Sequence, residues 1–370
     1  MLARGDLALV ELDTPRRLGA GPALPDNRPM PITALPRPPP SRRAKIIGGA
    51  LVYGIGVPLA KLLELFGVWP RLMSRGMARM MKRAPKFEPT ARDVLICSYF
   101  KTGTNWTMQI AVQIAHRGRA EFEHIHDLVP WLELPAERNR FTVRLDEPAT
   151  WEDSPTGLRV IKTHLAFDDL PYDPAAKYIY VVRDPKDVFV SSYHFIRSVV
   201  LGPLMPSVQR WLDVYLSPDT FTGSWARHLE TGWRNRNREN VLFLTYEEMK
   251  ADLPGAVRRI AELMNVDLTP AELESIAEQS SYAHMKAIGH KFDTIGLSPP
   301  WASARGSMVR RGRAGGSGEL LSPADQRRID DYWRAELEKL GSDFPYDEAF
   351  GLAPADADAG ADAAIAAPST

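Results

Sequence analysis

Cysteine is almost missing from this chain. Its 370 residues hold one, Cys97, inside an apolar run. No intrachain disulfide can form, and such sparse usage fits a reducing compartment, so a cytoplasmic setting is expected. Also missing is a Walker A loop, since no Gly-x-x-x-x-Gly-Lys-Ser/Thr occurs. No Cys/His or carboxylate cluster has metal-ligand spacing, and His124 and His126 stand two apart with no third ligand near them, so no metal is expected. Net charge is absent as well, with 46 Lys/Arg against 46 Asp/Glu, and no nucleic-acid partner is expected. There is no internal repeat. A composition of 44% hydrophobic and 25% charged residues is that of an ordinary globular protein, long enough for one large domain with extensions.

What is present falls into two phosphate-friendly turns. Val94–Cys97 is an apolar run leading into Ser98-Tyr99-Phe100-Lys101-Thr102-Gly103-Thr104-Asn105-Trp106. Gly103 permits a tight turn close to an anion, and Lys101 supplies a point charge. Thr102, Thr104 and Asn105 add donors at an emerging helix N-terminus, and Trp106 offers a flat face to an aromatic base. Roughly 80 residues on, Tyr178–Val182 runs into Arg183-Asp184-Pro185-Lys186-Asp187. Asp184 and Pro185 form an N-cap and N1 pair, so a helix starts there, with Arg183 at the strand end and Ser191 two turns inside. Two such turns suggest a ligand with two separate phosphates.

Strands near 94–99, 159–163, 178–182 and 241–245 alternate with helices near 104–117, 185–198 and 253–264. This is an α/β pattern, a parallel central sheet flanked by helices. Further helices are expected near 269–279 and 323–340, the latter opening on Ser322-Pro323. Residues 120–150 and 199–235, rich in Trp, Leu and Pro, read as walls of an acceptor pocket. Trp131, Trp211, Trp225 and Trp233 lie within them, and the sequence leaves open whether each faces a substrate or the core, the core being the favoured reading.

The two turns resemble the 5′-phosphosulfate loop and the 3′-phosphate motif of the cytosolic-type sulfotransferases, which use 3′-phosphoadenosine 5′-phosphosulfate (PAPS). Arg159-Val160-Ile161-Lys162-Thr163-His164 is similar to the family's Lys-Thr-His strand end, and Met308-Val309-Arg310-Arg311-Gly312 to its Arg-Lys-Gly segment. Val241–Met249 and Ser281–Lys286 also match, and the resemblance runs in order from about Asp93 to about Leu340. It implies a P-loop-like nucleotide-binding sulfotransferase fold and a sulfonate transfer from PAPS to a hydroxyl or amine of a small molecule or lipid. It implies His164 as catalytic base, with Lys101 and Lys162 stabilising charge. It implies a donor site built from Lys101, Thr102, Gly103, Thr104, Asn105, Trp106, Arg183, Ser191, Tyr246, Tyr282, Arg310, Arg311 and Gly312. In the family Tyr246 would neighbour the nucleotide and Tyr282 pack on adenine.

The chain departs from the family where Phe100 replaces a common proline and Asn105 a common threonine. The usual dimer-forming segment is not found in Glu319–Gln326, which leaves a family-style dimer in doubt. Two rival readings belong to other classes: a P-loop-type nucleotide kinase, which needs a lysine loop and a Mg²⁺-holding acid that are not visible, and a catalytically silent membrane-attached binding protein, which would show degraded motifs.

Residues 1–86 hold 15 Lys/Arg and 5 Asp/Glu, so the remainder carries the compensating negative charge. Residues 1–43 are Pro/Arg-rich and read as a disordered leader, 44–90 as an apolar and basic segment, 91–345 as the catalytic domain, and 346–370 as an Ala/Asp-rich disordered tail. Ile46–Ala60 has no charge but is short of the ~20 residues of a spanning helix. The favoured reading is peripheral docking on a bilayer through 46–83, with packing on the domain or a partner, and a true span, as alternatives.

Overall fold

The computed structural model describes residues 42–81, 87–134, 142–293 and 315–352. At its centre four parallel strands, β1 (Asp93–Ser98), β2 (Arg159–Thr163), β3 (Lys177–Val182) and β4 (Val241–Thr245), lie in the order β2-β1-β3-β4. Every residue of β1, β2 and β3 is buried, which explains why they read as continuous rather than alternating apolar runs. An ion pair fixes the outer register: Arg159 Nε donates to Asp93 Oδ1 at 2.7 Å, both side chains buried.

The pleat sends Val94 and Ile96 to one face and Leu95 and Cys97 to the other. On the first face pack the Thr104–Ala115, Leu253–Leu263 and Pro270–Gln279 helices, closing a core around Met108, Ile179, Val257 and Ile276. Elsewhere the Pro185–Phe195, Trp225–Arg234 and Pro323–Lys339 helices enclose a second core around Trp225 and Trp333, each 1% exposed. Several starts follow the expected caps. Asp184 accepts from the Lys186 N–H with Pro185 at the first turn, and Ser322 with Asp325 forms a capping box ahead of Pro323.

Three boundaries differ from expectation. The helix from Pro185 ends at Phe195 and continues to Leu201 as a π-helix. The tail boundary drawn at 346 falls at the start of a short helix, Tyr346–Ala349, where Tyr346 is buried and its hydroxyl donates to Asp330 at 2.8 Å. The third concerns the N-terminal segment. Helix α1 (Arg42–Leu51), a π-helical stretch (Val52–Gly56) and α2 (Val57–Leu65) form one rod, so that Ile46–Leu65 is a 20-residue helix of mean hydropathy 1.8. The wider π turn sits just before Pro58, whose missing N–H and ring would otherwise break the helix. Helix α3 (Val68–Met81) follows. Most of the predicted leader and tail lie outside the described residues.

Candidate functional site

Register brings four strand ends into one line. Cys97 pairs with Thr163, Ser98 with Val181, and Val182 with Thr245. The residues that follow these ends therefore share one edge of the sheet: His164 after β2, Lys101 and Gly103 after β1, Arg183 after β3 and Tyr246 after β4. The carboxyl edge of a parallel sheet is where α/β folds place ligands.

The β1 turn is held from inside. Thr102 is fully buried, and its hydroxyl donates to the Tyr99 carbonyl at 2.8 Å and the Val181 carbonyl at 3.1 Å. Lys101 at φ 71° and Gly103 at φ 108° flank it, both left-handed. A Cβ on Gly103 would stand 2.9 Å from Tyr246 Cδ2, so only glycine lets the turn pass beneath that ring. The Thr104–Ala115 helix begins immediately after; the Trp106 and Thr107 N–H groups close on the Gly103 carbonyl at 2.9 and 3.0 Å, and the N–H groups ahead of them lie at a helix N-terminus, the kind of end that suits an anion. The expected roles change in detail here. Thr102's hydroxyl faces the fold rather than a ligand, and Thr104's lies 2.7 Å from that of Ser98. Trp106 is half buried, with its indole N–H donating to the Ser280 carbonyl at 2.6 Å and its ring edge-to-face with Tyr246. That bond ties the segment carrying Tyr282, which is 43% exposed, to the first loop. Asn105 is half buried beside it.

At the β3 end Arg183 lies 4.3 Å over the Tyr246 ring and donates to Asp187 Oδ2 at 2.9 Å. Asp187 also accepts the N–H groups of Gly315 and Gly316, each at 3.0 Å. One carboxylate therefore gathers Arg183 and the chain just past Gly312. Arg310, Arg311 and Gly312 themselves lie outside the described residues. Ser191 is half buried on the Pro185–Phe195 helix.

The β2 end gathers buried titratable groups. His164 Nδ1 lies 2.7 Å from the Ser98 carbonyl. A carbonyl only accepts, so Nδ1 carries the proton and Nε2 keeps its lone pair. Burial and the neighbouring Lys162 hold the imidazole well below the ordinary histidine range, so it is a neutral base at pH 7. Lys162 is 6% exposed and its Nζ sits 3.4 Å from the centroid of the Trp131 ring. Burial pulls its pKa down to about 7, against the opposing pull of Glu133. Glu133 is buried too, is pushed up to about 7 by burial, and accepts the His164 backbone N–H. Lys101 Nζ lies 4.6 Å over Phe195.

Two of these residues were not found from sequence. Glu133 lay in a stretch without periodicity. Trp131, for which the core was favoured over a substrate-facing position, is half buried, edge-on to His164 at 5.4 Å and over Lys162. The short parallel bridge between Trp131 and Lys162 brings it there. Trp211 and Trp225 are core, as expected, and Trp233 is partly buried against it. His124 and His126 serve a turn: His124 accepts from the His126 N–H, and His126 Nδ1 meets the Val129 carbonyl at 2.7 Å. Beside His164, Phe100 stands edge-to-face with Phe195 and Phe221 at 5.4 and 5.2 Å, walling a small cavity shared with Ser192, Trp211 and Thr222.

A family model described as the sulfotransferase domain matches residues 91–341. The chain belongs to the sulfotransferase family. Among relatives of this sulfotransferase, human sulfotransferase 1C2 is 27% identical over 77% of the chain and 97% of its own length. Mouse sulfotransferase 2B1 is 33% identical over 69% of the chain and 74% of its own. A mouse sulfotransferase solved with PAP, the 3′,5′-bisphosphate left from PAPS, superposes with a TM-score of 0.54 at 26% identity, covering 71% of this chain and 90% of that one. The enzyme is thus a sulfotransferase, on the α/β fold expected. The kinase and silent-scaffold readings are not favoured.

Proposed function

We propose that His164, Lys162 and Lys101 carry out the transfer, and that the carboxyl edge of β1, β3 and β4 holds the donor. The observation that carries the reading is the Nδ1 contact of His164 with Ser98, which leaves Nε2 free to take a proton. The donor supplies a sulfonate whose bond to the 5′-phosphate breaks as a new bond to the acceptor oxygen or nitrogen forms. His164 Nε2 takes the acceptor's proton. Lys101 and Lys162 hold the charge that builds on the bridging and sulfonate oxygens, much as cations do in phosphoryl transfer. Lys162 is poised near neutrality when the site is empty of anions, and an anion beside it favours its ammonium form.

The chain's own residues fit a bisphosphorylated nucleotide. The Gly103 turn and the helix after it suit the 5′-side anion, and Arg183 with Ser191, Arg310, Arg311 and Gly312 the 3′-phosphate. Trp106, Tyr246 and Tyr282 suit the purine, and no metal is assigned a role.

The acceptor in this proposal is an apolar molecule or lipid bearing a hydroxyl or amine, a reading supported by the aromatic wall of Phe100, Phe221 and Trp131 beside His164. A rabbit relative, 28% identical over 73% of the chain, is named an amine sulfotransferase, which keeps both nucleophiles in play. A cytoplasmic location with peripheral membrane contact through 46–83 belongs to the same proposal. Titration calorimetry with 3′,5′-bisphosphorylated adenosine, beside ATP with Mg²⁺, tests the donor site. Binding of the first alone is expected, and binding of ATP alone would overturn it. His164→Ala should then abolish transfer with donor affinity within about twofold, whereas loss of both would make His164 a structural residue.

A further inference from the structure

The rod formed by α1, the π turn and α2 has two unlike faces. Val52, Gly56, Ala60 and Glu64, four residues apart, face the catalytic domain. Val52 and Ala60 are buried, a Cβ on Gly56 would meet Leu204 at 3.5 Å, and Glu64 Oε1 accepts the Ser207 N–H at 2.7 Å. The contact continues into α3, where the Trp69 indole donates to the Leu204 carbonyl at 2.8 Å and Ser74 is fully buried against Asp219. On the other face Ile47, Leu51, Ile55, Leu59, Leu62 and Phe66 recur every three or four residues, each at least 50% exposed. So long an apolar stripe left open to water calls for a cover.

We infer that this stripe is covered by an anionic lipid bilayer, with the rod lying in the plane of the membrane surface. Charge argues for lipid rather than for a second copy of the chain. Residues 42–86 contain ten Lys/Arg against Glu64 alone, and that one carboxylate is turned inward on Ser207 and Lys61. Two copies meeting through this face would bring two strongly basic segments together, whereas acidic headgroups complement them. Arg71 pairs with Asp219 and donates to the Gly67 carbonyl, Arg75 pairs with the same Asp219, and Arg79 is exposed one turn further along α3. The domain contacts decide orientation. A rod spanning the bilayer would lose Val52, Gly56, Ala60 and Glu64 from the domain, although its 20 residues are long enough.

The arrangement rests on the peripheral-contact part of the proposed function and adds the partner and the geometry. Helix α2 packs against the turn at Gly202–Leu204. That turn ends the π-helix begun after Phe195, and Phe195 lies against Phe100 at the acceptor wall. Docking through α2 therefore sets the acceptor side of the site close to the lipid.

Full-length protein sedimented with vesicles of phosphatidylcholine alone, or with 30% phosphatidylserine (about the acidic content of a charged leaflet), reads the proposal directly. Binding to the acidic vesicles, at least tenfold weaker to neutral ones and weakened by salt, is expected. Leu62→Asp with Phe66→Asp should abolish sedimentation while leaving 3′,5′-bisphosphorylated adenosine bound as before, because both side chains are exposed and neither belongs to the strand-end turns assigned to the donor. Calorimetry on the same samples separates failure of docking from failure of the nucleotide reading. No binding to either vesicle overturns the proposal, as does a dimer in light scattering that the same double variant dissolves. Resistance to carbonate extraction also overturns it, in favour of a span.

Discussion

Replacing Lys162 by methionine should stabilise the fold and destroy the enzyme. The ammonium is buried beneath Trp131, and its pKa falls from the usual 10.5 to about 7. Such a fall corresponds to about 5 kcal/mol of unfavourable burial of the charged form. Methionine keeps the stem and most of the volume, so little cavity arises. Against that gain stand the lost cation–π contact, about 2 kcal/mol in a desolvated site. Glu133, already near 7, loses its cation and becomes neutral, costing about 1 kcal/mol more. The net gain is about 2 kcal/mol at pH 7, or a rise of about 5 °C in Tm for a domain of this size.

The pH dependence carries the sign. A lysine whose pKa is depressed on folding opposes folding fully below about 7, and that opposition fades as pH climbs toward 10.5. The variant's advantage of about 2 kcal/mol should therefore shrink by about 1.4 kcal/mol per pH unit above pH 7, reach zero at about pH 8.5 and turn into a deficit higher in that window. Thermal unfolding of both proteins from pH 6 to 10, without nucleotide, measures it. In parallel kcat should fall by about 10²–10³. A variant less stable than the parent at pH 7, or a difference flat with pH, would refute the burial argument.

Other changes test the remaining parts of the site. Arg183→Ala should weaken the 3′-phosphorylated nucleotide by about tenfold or more yet hardly touch adenosine 5′-phosphosulfate, and equal loss of both would remove the 3′-phosphate role. Gly103→Ala puts a Cβ at 2.9 Å from Tyr246 with φ at 108°, so a loss of about 1–3 kcal/mol in stability and of most donor affinity is expected. Donor binding at pH 8 should take up close to one proton, because Lys162 has lost its own above about 7 and binds as the cation; calorimetry in buffers of different ionisation enthalpy reads this, and buffer-independent heats would contradict it. Asp187→Asn should loosen Arg183 and the Gly315–Gly316 anchor together, seen as faster proteolysis near 315 and weaker donor binding.

The frame of the fold was open to reading because its signals are local. A buried parallel strand declares itself as a β-branched run, and Asp184-Pro185 and Ser322-Pro323 announce helix starts within two residues. Features that depend on distant partners were hidden. Thr102 looks like a ligand donor until the Val181 carbonyl, 79 residues away, takes its hydroxyl. Trp131 looked like core because loops have no periodicity to say which way a ring points, and only its bridge to Lys162 reveals the site face. The anchor between Asp187 and Gly315 spans 128 residues and leaves no local trace. In the rod, the uncharged run Ile46–Ala60 read as too short to span, while the π turn carries the helix past Pro58 to Leu65.

The line of strand ends also says how such an enzyme can change its trade. Lys101, Gly103, Arg183 and Tyr246, all assigned to the donor, follow strand ends whose positions are locked by register, so they cannot drift without unpicking the sheet. In the aromatic wall beside His164, Trp131 and Phe221 sit instead on long connections between strands, beside Phe100 of the β1 turn. Insertions and deletions there leave every hydrogen-bonded pair of the sheet intact. The nucleotide end is a fixed socket, and the acceptor end is a replaceable fitting.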